Sequence, residues 1–143
     1  DDTIMIDAYP QPYIPFYLAT KEFFELVADR LAPGGTVMIN VGHPEGNADL
    51  EETLVSTMGE AFPEILRDPV TDTNVELVGG QVGGISSRKL WLAVPEIPAA
   101  LRPVARSTAF RLEPAVGNGT VWTDDKAPVE WLVDLSLIGY ANA

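Results

Sequence analysis

An α/β fold with a doubly wound, mostly parallel sheet is predicted by three features of the sequence. Residues 3–8 and 36–41 are short apolar runs without polar alternation, the mark of strands covered on both faces. Between them, apolar side chains recur at helical spacing. A second strand–helix step then leads from residue 36 through a helix ending near Phe62 to another short run at 64–67. Buried strands joined by helical crossovers run parallel, and right-handed crossovers lay their helices on the sheet faces.

Thr20 is placed to cap the first helix, with Phe23, Phe24, Val27, Ala28 and Leu31 on one side and Lys21, Glu22, Glu25, Asp29 and Arg30 on the other. Pro33 cannot continue that helix, and Gly34-Gly35 supplies a left-handed turn back into the strand at 36–41. Gly42, Pro44 and Gly46 form a loop from which Asn47 or Asp49 caps a second helix carrying Leu50, Leu54, Val55, Met58 and Phe62, closed by Pro63. The stretch containing Gly79, Gly80, Gly83 and Gly84 is not a phosphate cradle. Such a cradle needs glycines that open a helix, and these run into the apolar segment 89–94. The reading is a flexible hairpin insertion at about 69–88, then a strand at 89–94. A mixed segment interrupted by Pro103 runs from Glu96 to Arg111, a turn lies at Gly117-Asn118-Gly119, and a final helix covers 127–137. The expected division is a main unit at 1–95 and an extension at 96–143 packed on the same domain.

In 143 residues, 9 Lys+Arg face 21 Asp+Glu, for a net charge of −12. Nucleic acid and anionic lipid are repelled by such a chain, which has few basic side chains to exchange for their counterions. Small cationic ligands suit it better. The lack of cysteine removes disulfides, thiolate nucleophiles and Cys-based metal sites, and a cytoplasmic protein is expected. The most apolar stretch, residues 90–101, contains Pro95, Glu96 and Pro98 and falls short of the ~20 residues of a membrane span. A strand beginning two residues after Asp1 reads as a piece cut from a longer protein.

Ligands of open α/β sheets bind beyond the carboxyl ends of the strands. Asp7 occupies that place. Its partly desolvated charge is best balanced by a cationic ligand group or by N–H donors of its own loop in an Asx-type turn, and both readings stand. The loop "YPQPYIPFY" has three prolines that stiffen it and three tyrosines, Tyr9, Tyr13 and Tyr17, able to wall an apolar channel or to pack on a partner chain. In the second acidic cluster, residues 123–132, Thr123, Asp124 or Asp125 can cap the final helix. His43, the only histidine, reads as a solvent-exposed loop residue.

"IDAY" followed by "PYIPF" and "TKEFF", then "LAPGGTVMINV", and near the end "TDDKAPVEWL" resemble the bacterial spermidine synthase-like proteins, polyamine aminopropyltransferase relatives on the Rossmann-like class I S-adenosylmethionine-dependent methyltransferase fold. The likeness covers most of residues 1–62 and 123–132. It implies that the chain supplies the carboxyl-terminal half of such a domain. The glycine-rich first turn and the acid that hold the donor nucleoside belong to the amino-terminal half. Decarboxylated S-adenosylmethionine, or S-adenosylmethionine itself, is then the co-substrate, without a metal, and a polyamine or other small cationic amine is the acceptor.

In authentic spermidine synthases the strand end reads Asp-x-x-Asp, with amine deprotonation assigned to the second Asp. Asp7 matches the first position and Pro10 stands at the second. The resemblance makes Asp7 the amine contact, with Tyr9, Tyr13, Asp124 and Asp125 as further substrate contacts. It also leaves the first strand with an uncovered apolar edge and face, to be covered by missing chain or by homo-oligomerisation. Two alternatives accompany this reading: a methyltransferase using S-adenosylmethionine, and a non-catalytic oligomerising domain that has lost the site.

Overall fold

The computed structural model describes residues 1–7 and 14–141; Tyr9, Pro10 and Tyr13 lie outside the described residues. The elements are β1 (Thr3–Ile6), α1 (Lys21–Arg30), β2 (Thr36–Gly42), α2 (Asp49–Met58), β3 (Glu64–Thr71), β4 (Asn74–Gly80), α3 (Ser87–Ala93), α4 (Arg102–Arg111), β5 (Glu113–Pro114) and α5 (Val129–Ala141). They form one sheet in the order β1-β2-β4-β3-β5. β1 and β2 pair in parallel, and β4 pairs antiparallel with both β2 and β3, so β1, β2 and β3 all run the same way. The fold is therefore the expected α/β sheet with helices on both faces, with β4 inserted against the direction of its neighbours.

One face of the sheet carries the main core. On β2, Val37, Ile39 and Val41 are buried and alternate with half-exposed Thr36, Met38 and Asn40. Val75 and Leu77 of β4 extend the buried row, and Phe24, Val27, Leu54, Met58, Phe62, Trp122, Val129 and Val133 close over it. Each such large side chain removed from water contributes about 1.5–3 kcal/mol. α1 begins where expected, with the Thr20 hydroxyl accepting from the Phe23 N–H at 3.2 Å, and Gly34 adopts the left-handed turn with φ 79°. α2 starts one residue off either expected cap: Ala48 is the cap, and the Asn47 side-chain Oδ1 accepts from the Asp49 backbone N–H at 3.0 Å across it.

Four expectations are corrected. The glycine-rich region at 69–88 is not a flexible insertion, because residues 74–80 form β4, hydrogen-bonded along both sides within the sheet. Gly79 has a packing role there: a Cβ at that position would lie 2.9 Å from Val37 Cγ1, 3.1 Å from Phe62 Cγ and 3.2 Å from Met58 Cε. The absent side chain lets α2 close onto the sheet. Residues 89–94 are helical, not extended, since the Ser86 hydroxyl accepts from the Lys89 N–H and caps α3. A short apolar run suits a strand or a helix equally, and the cap decides. Pro103 opens α4 instead of interrupting a segment, lying in the first turn where no intrahelical N–H is needed.

The fourth correction concerns β1, whose apolar run is covered on one face only. Ile6 is buried while Met5 is 71% exposed, and among the described residues β1 is an edge strand of the sheet. The second face of the sheet is covered in part by α3 and α4, which pack on each other across position 95. His43, expected to be solvent-exposed, is instead half-buried, because its backbone N–H donates to the Thr73 carbonyl at 3.0 Å and draws it against the β3–β4 turn.

Gly79→Ala is expected to lower unfolding free energy by about 2 kcal/mol through overpacking. Gly42→Ala, where a Cβ meets nothing within 4 Å, should change it by less than about 0.5 kcal/mol. Denaturant titration of the two variants measures the contrast.

Candidate functional site

Asp7 follows β1 at the carboxyl end of the parallel pair, and the ladder sets its neighbours. Ile6 lies opposite Ile39, so Asp7 falls opposite Asn40, and the Asn40 side-chain N–H donates to Asp7 Oδ1 at 3.4 Å. Asn40 in turn lies opposite Glu76 of β4, and Glu76 opposite Asp68 of β3. One rung across four strands thus reads Asp7, Asn40, Glu76, Asp68, all on the face opposite the main core, because side chains alternate along each strand.

The three carboxylates of this rung differ in environment. Asp68 is buried and held by Arg111 of α4 in a two-pronged pair, Nε to Oδ1 at 2.6 Å and Nη2 to Oδ2 at 2.9 Å. Asp7 is exposed. Glu76 is half-buried, and its carboxyl titrates above the ordinary glutamate range, first because burial disfavours its charge and then because Asp7 and Asp68 add negative potential. A cation placed between Asp7 and Glu76 relieves that repulsion. The rung is therefore suited to an ammonium group. Among the described residues no three acidic or histidine groups converge to hold a metal ion.

Asp124 has a different role from the cap expected for the final helix. It sits in the tight turn bridged by Thr123 and Lys126, accepts from the Thr20 hydroxyl at 2.7 Å, and its N–H donates to Glu22 Oε2 at 3.0 Å. It thereby ties the end of the chain to the start of α1, which lies at the carboxyl end of the sheet because α1 is the crossover leaving β1. Asp125 is exposed in the same turn. Tyr17 is 59% exposed and meets Phe16 edge-on at 5.5 Å. Asp7 and the turn with Asp124 and Asp125 thus share one end of the sheet. Glu76 and Asn40 went unread in the sequence, although the alternation Asn74, Glu76, Val78 against Val75 and Leu77 is a strand signal with the acid on the open face.

Because Glu76 holds its proton more tightly folded than unfolded, its contribution to stability is present at low pH and is lost as pH rises from the ordinary glutamate value through the raised one. Glu76→Gln is expected to raise the melting temperature at neutral pH. That advantage should vanish below about pH 3, well under the ordinary glutamate value, where the carboxyl is protonated in both states. Calorimetric scans across that range test the sign.

No family model matches the sequence. A curated protein of Bifidobacterium longum (strain NCC 2705), named probable polyamine aminopropyl transferase, is 29% identical over 153 aligned residues, covering 92% of this chain and 34% of that protein. The crystal structure of a probable spermidine synthase from Corynebacterium glutamicum ATCC 13032 matches the fold with a TM-score of 0.54 at 20% identity, covering 86% of this chain and 48% of that one. The chain thus spans about a third of the curated relative and about half of the solved structure. Likeness in sequence and likeness in fold converge: the chain resembles part of the spermidine synthase-like proteins on a methyltransferase-type α/β fold.

Proposed function

We propose that the chain is the carboxyl-terminal half of a spermidine synthase-like transferase that moves an aminopropyl group from decarboxylated S-adenosylmethionine to a polyamine. The observation that supports this most is the position of Asp7, at the carboxyl end of β1 and on one rung with Asn40 and Glu76. In the reaction a neutral amine nitrogen attacks the methylene carbon beside the sulfonium. The new C–N bond forms as the C–S bond breaks, the sulfur leaves as a neutral thioether, and the amine gives up one proton. The protein's task is to hold a cationic polyamine, keep the attacking nitrogen deprotonated and align it.

Asp7 is the amine contact in this reading. Pro10 stands where the second acid of the Asp-x-x-Asp pattern is expected, and Glu76 is the carboxylate nearest along the rung. Tyr9, Tyr13, Asp124 and Asp125 are the further substrate contacts in this reading, of which Asp124 and Asp125 sit in the turn tied to the start of α1. No residue of this chain is assigned to the donor, whose contacts belong in this reading to the amino-terminal half, and the 143-residue chain assayed by itself is expected to show no transfer. Pro10 favours a second reading, methyl transfer from S-adenosylmethionine, which keeps the fold and dispenses with the second acid.

Incubating the longer protein that contains this chain with putrescine or spermidine and each donor, followed by mass spectrometry, decides between them. Gain of an aminopropyl group is the expected result, gain of a methyl group selects the second reading, and no product leaves a non-catalytic domain. Asp7→Asn should weaken polyamine binding at least about tenfold in calorimetry, the loss of one charge-assisted contact. Unchanged affinity would remove Asp7 from the amine site.

The open edge of β1, with Met5 on the uncovered face, is where the nucleotide-binding half joins or, without it, where a second copy associates. Sedimentation of the 143-residue chain at micromolar concentration should show self-association, weakened about tenfold by Met5→Lys. An unchanged association constant in that variant takes β1 out of the interface.

A further inference from the structure

The charge of the chain is unevenly distributed. Residues 86–112, which hold α3 and α4, contain Arg88, Lys89, Arg102, Arg106 and Arg111 against the single acid Glu96, a net +4, while the rest of the chain carries −16. Three of these cations are engaged within the chain: Arg111 by Asp68, Arg102 by the Ile97 and Pro95 carbonyls, and Lys89 by the Gly83 carbonyl. Arg88 and Arg106 are exposed and have no partner among the described residues. Between the two helices runs a cleft of about 380 Å³ lined by Arg88, Trp91 and Phe110, with Trp91 55% and Phe110 89% exposed. Arg106 lies one turn before Phe110 and so on the same side of α4. Exposed tryptophan and arginine around a cleft are the side chains enriched at binding hot spots.

A matching surface lies on α5. That helix is apolar almost all round, which is the pattern of a helix covered on every side. Val129 and Val133 are buried against the core, yet Trp131 is 67%, Leu135 49% and Ile138 59% exposed, a stripe at spacings of four and three. Its sequence includes Glu130 and Asp134 and no basic residue. α5 packs on α2, over the core face of the sheet, whereas α3 and α4 cover the opposite face. The sheet separates the two surfaces, so they can meet only between molecules.

We propose that the α3–α4 cleft of one copy receives the exposed stripe of α5 from a second copy. Trp91 and Phe110 enclose the Trp131 and Leu135 side chains, and Arg88 and Arg106 face the strongly acidic body of the neighbour. Apolar anchors supply the affinity and the charge contrast supplies orientation and encounter rate. The contact joins two different surfaces, so it propagates head to tail and closes as a ring or continues as a filament. It is independent of the proposed activity and of the β1 edge.

The test uses the 143-residue chain carrying Met5→Lys, which removes the β1 contribution, in sedimentation velocity. Two variants are built on it, Arg88→Glu with Arg106→Glu, and Trp131→Glu with Leu135→Glu, each checked for native circular dichroism. Each variant alone should be monomeric, and an equimolar mixture should form a discrete dimer, because each retains one intact surface. Raising NaCl from about 50 to about 500 mM should weaken association of the Met5→Lys chain about tenfold by screening, a readout that stands even if a double variant fails to fold. The proposal is overturned if either variant associates like its parent, if the mixture stays monomeric, or if salt has no effect. It is equally overturned if the Met5→Lys chain is monomeric at about 100 μM or engages anionic vesicles while remaining monomeric.

Discussion

The pairing of β4 with both β2 and β3 is the constraint on which the rest of the molecule depends. Seven consecutive residue pairs join β4 to β2, and a ladder of comparable length joins it to β3. Because side chains alternate strictly along a strand, this one register settles two unrelated matters together. It turns Val75, Leu77 and Gly79 toward α2 and the core, and it turns Glu76 toward the open face between Asn40 and Asp68. A slip by one residue would bury Glu76 under α2 and expose the valine and leucine. Gly79 belongs to the same constraint, since any side chain there would hold Met58 and Phe62 away from Val37.

Ion pairs on neighbouring residues of β3 fasten the two helical layers to this sheet. Arg67 faces the core side and is bound by Glu51 of α2 at 2.5 and 3.1 Å and by Glu113 of β5 at 2.6 Å. Asp68 faces the other side and is bound by Arg111 of α4. Glu51 and Asp68 are both buried, so each depends on its arginine to compensate its charge, and the bidentate geometry sets the seating of α2 and α4 against β3. The hydrogen bonds between Ser56 and Gly119, and between Thr57 and Trp122, hold the chain beyond β5 along α2. They carry it to the Asp124 turn at the start of α1. The far end of the chain is thereby brought to the carboxyl end of the sheet, where Asp7 lies.

The acidic rung and the cationic helical pair give the molecule two opposite electrostatic regions on the same side of the sheet. Arg111 links them, and by pairing with Asp68 it leaves Asp7 and Glu76 as the carboxylates of the rung without a basic partner among the described residues. A site for a cationic amine requires negative potential that is not cancelled from within. Of the other basic groups on α3 and α4, Arg88 and Arg106 are exposed and pair with neither carboxylate among the described residues.

How much of this was legible follows from which signals are local. The first helix, its Thr20 cap, the Gly34 turn and the strand at 36–41 were readable because caps, prolines and helical spacing act within a few residues. The position of Asp7 at a strand end was readable because an apolar run closed by an acid and a proline-rich stretch is a local pattern. α3 was misread because a six-residue apolar run has no periodicity of its own, and only the hydroxyl of Ser86 on the Lys89 N–H distinguishes helix from strand. β4 was misread because Gly79 and Gly80 resemble a loop until a neighbour on each side supplies the hydrogen bonds that make them the end of a strand. By itself the sequence determined the order of crossovers, the acidic balance and the placement of Asp7 at a strand end. Tertiary structure alone decided that Glu76 joins Asp7 on one rung and that Asp124 turns to Thr20, because both depend on which distant segments the ladder and the α2 contacts bring side by side.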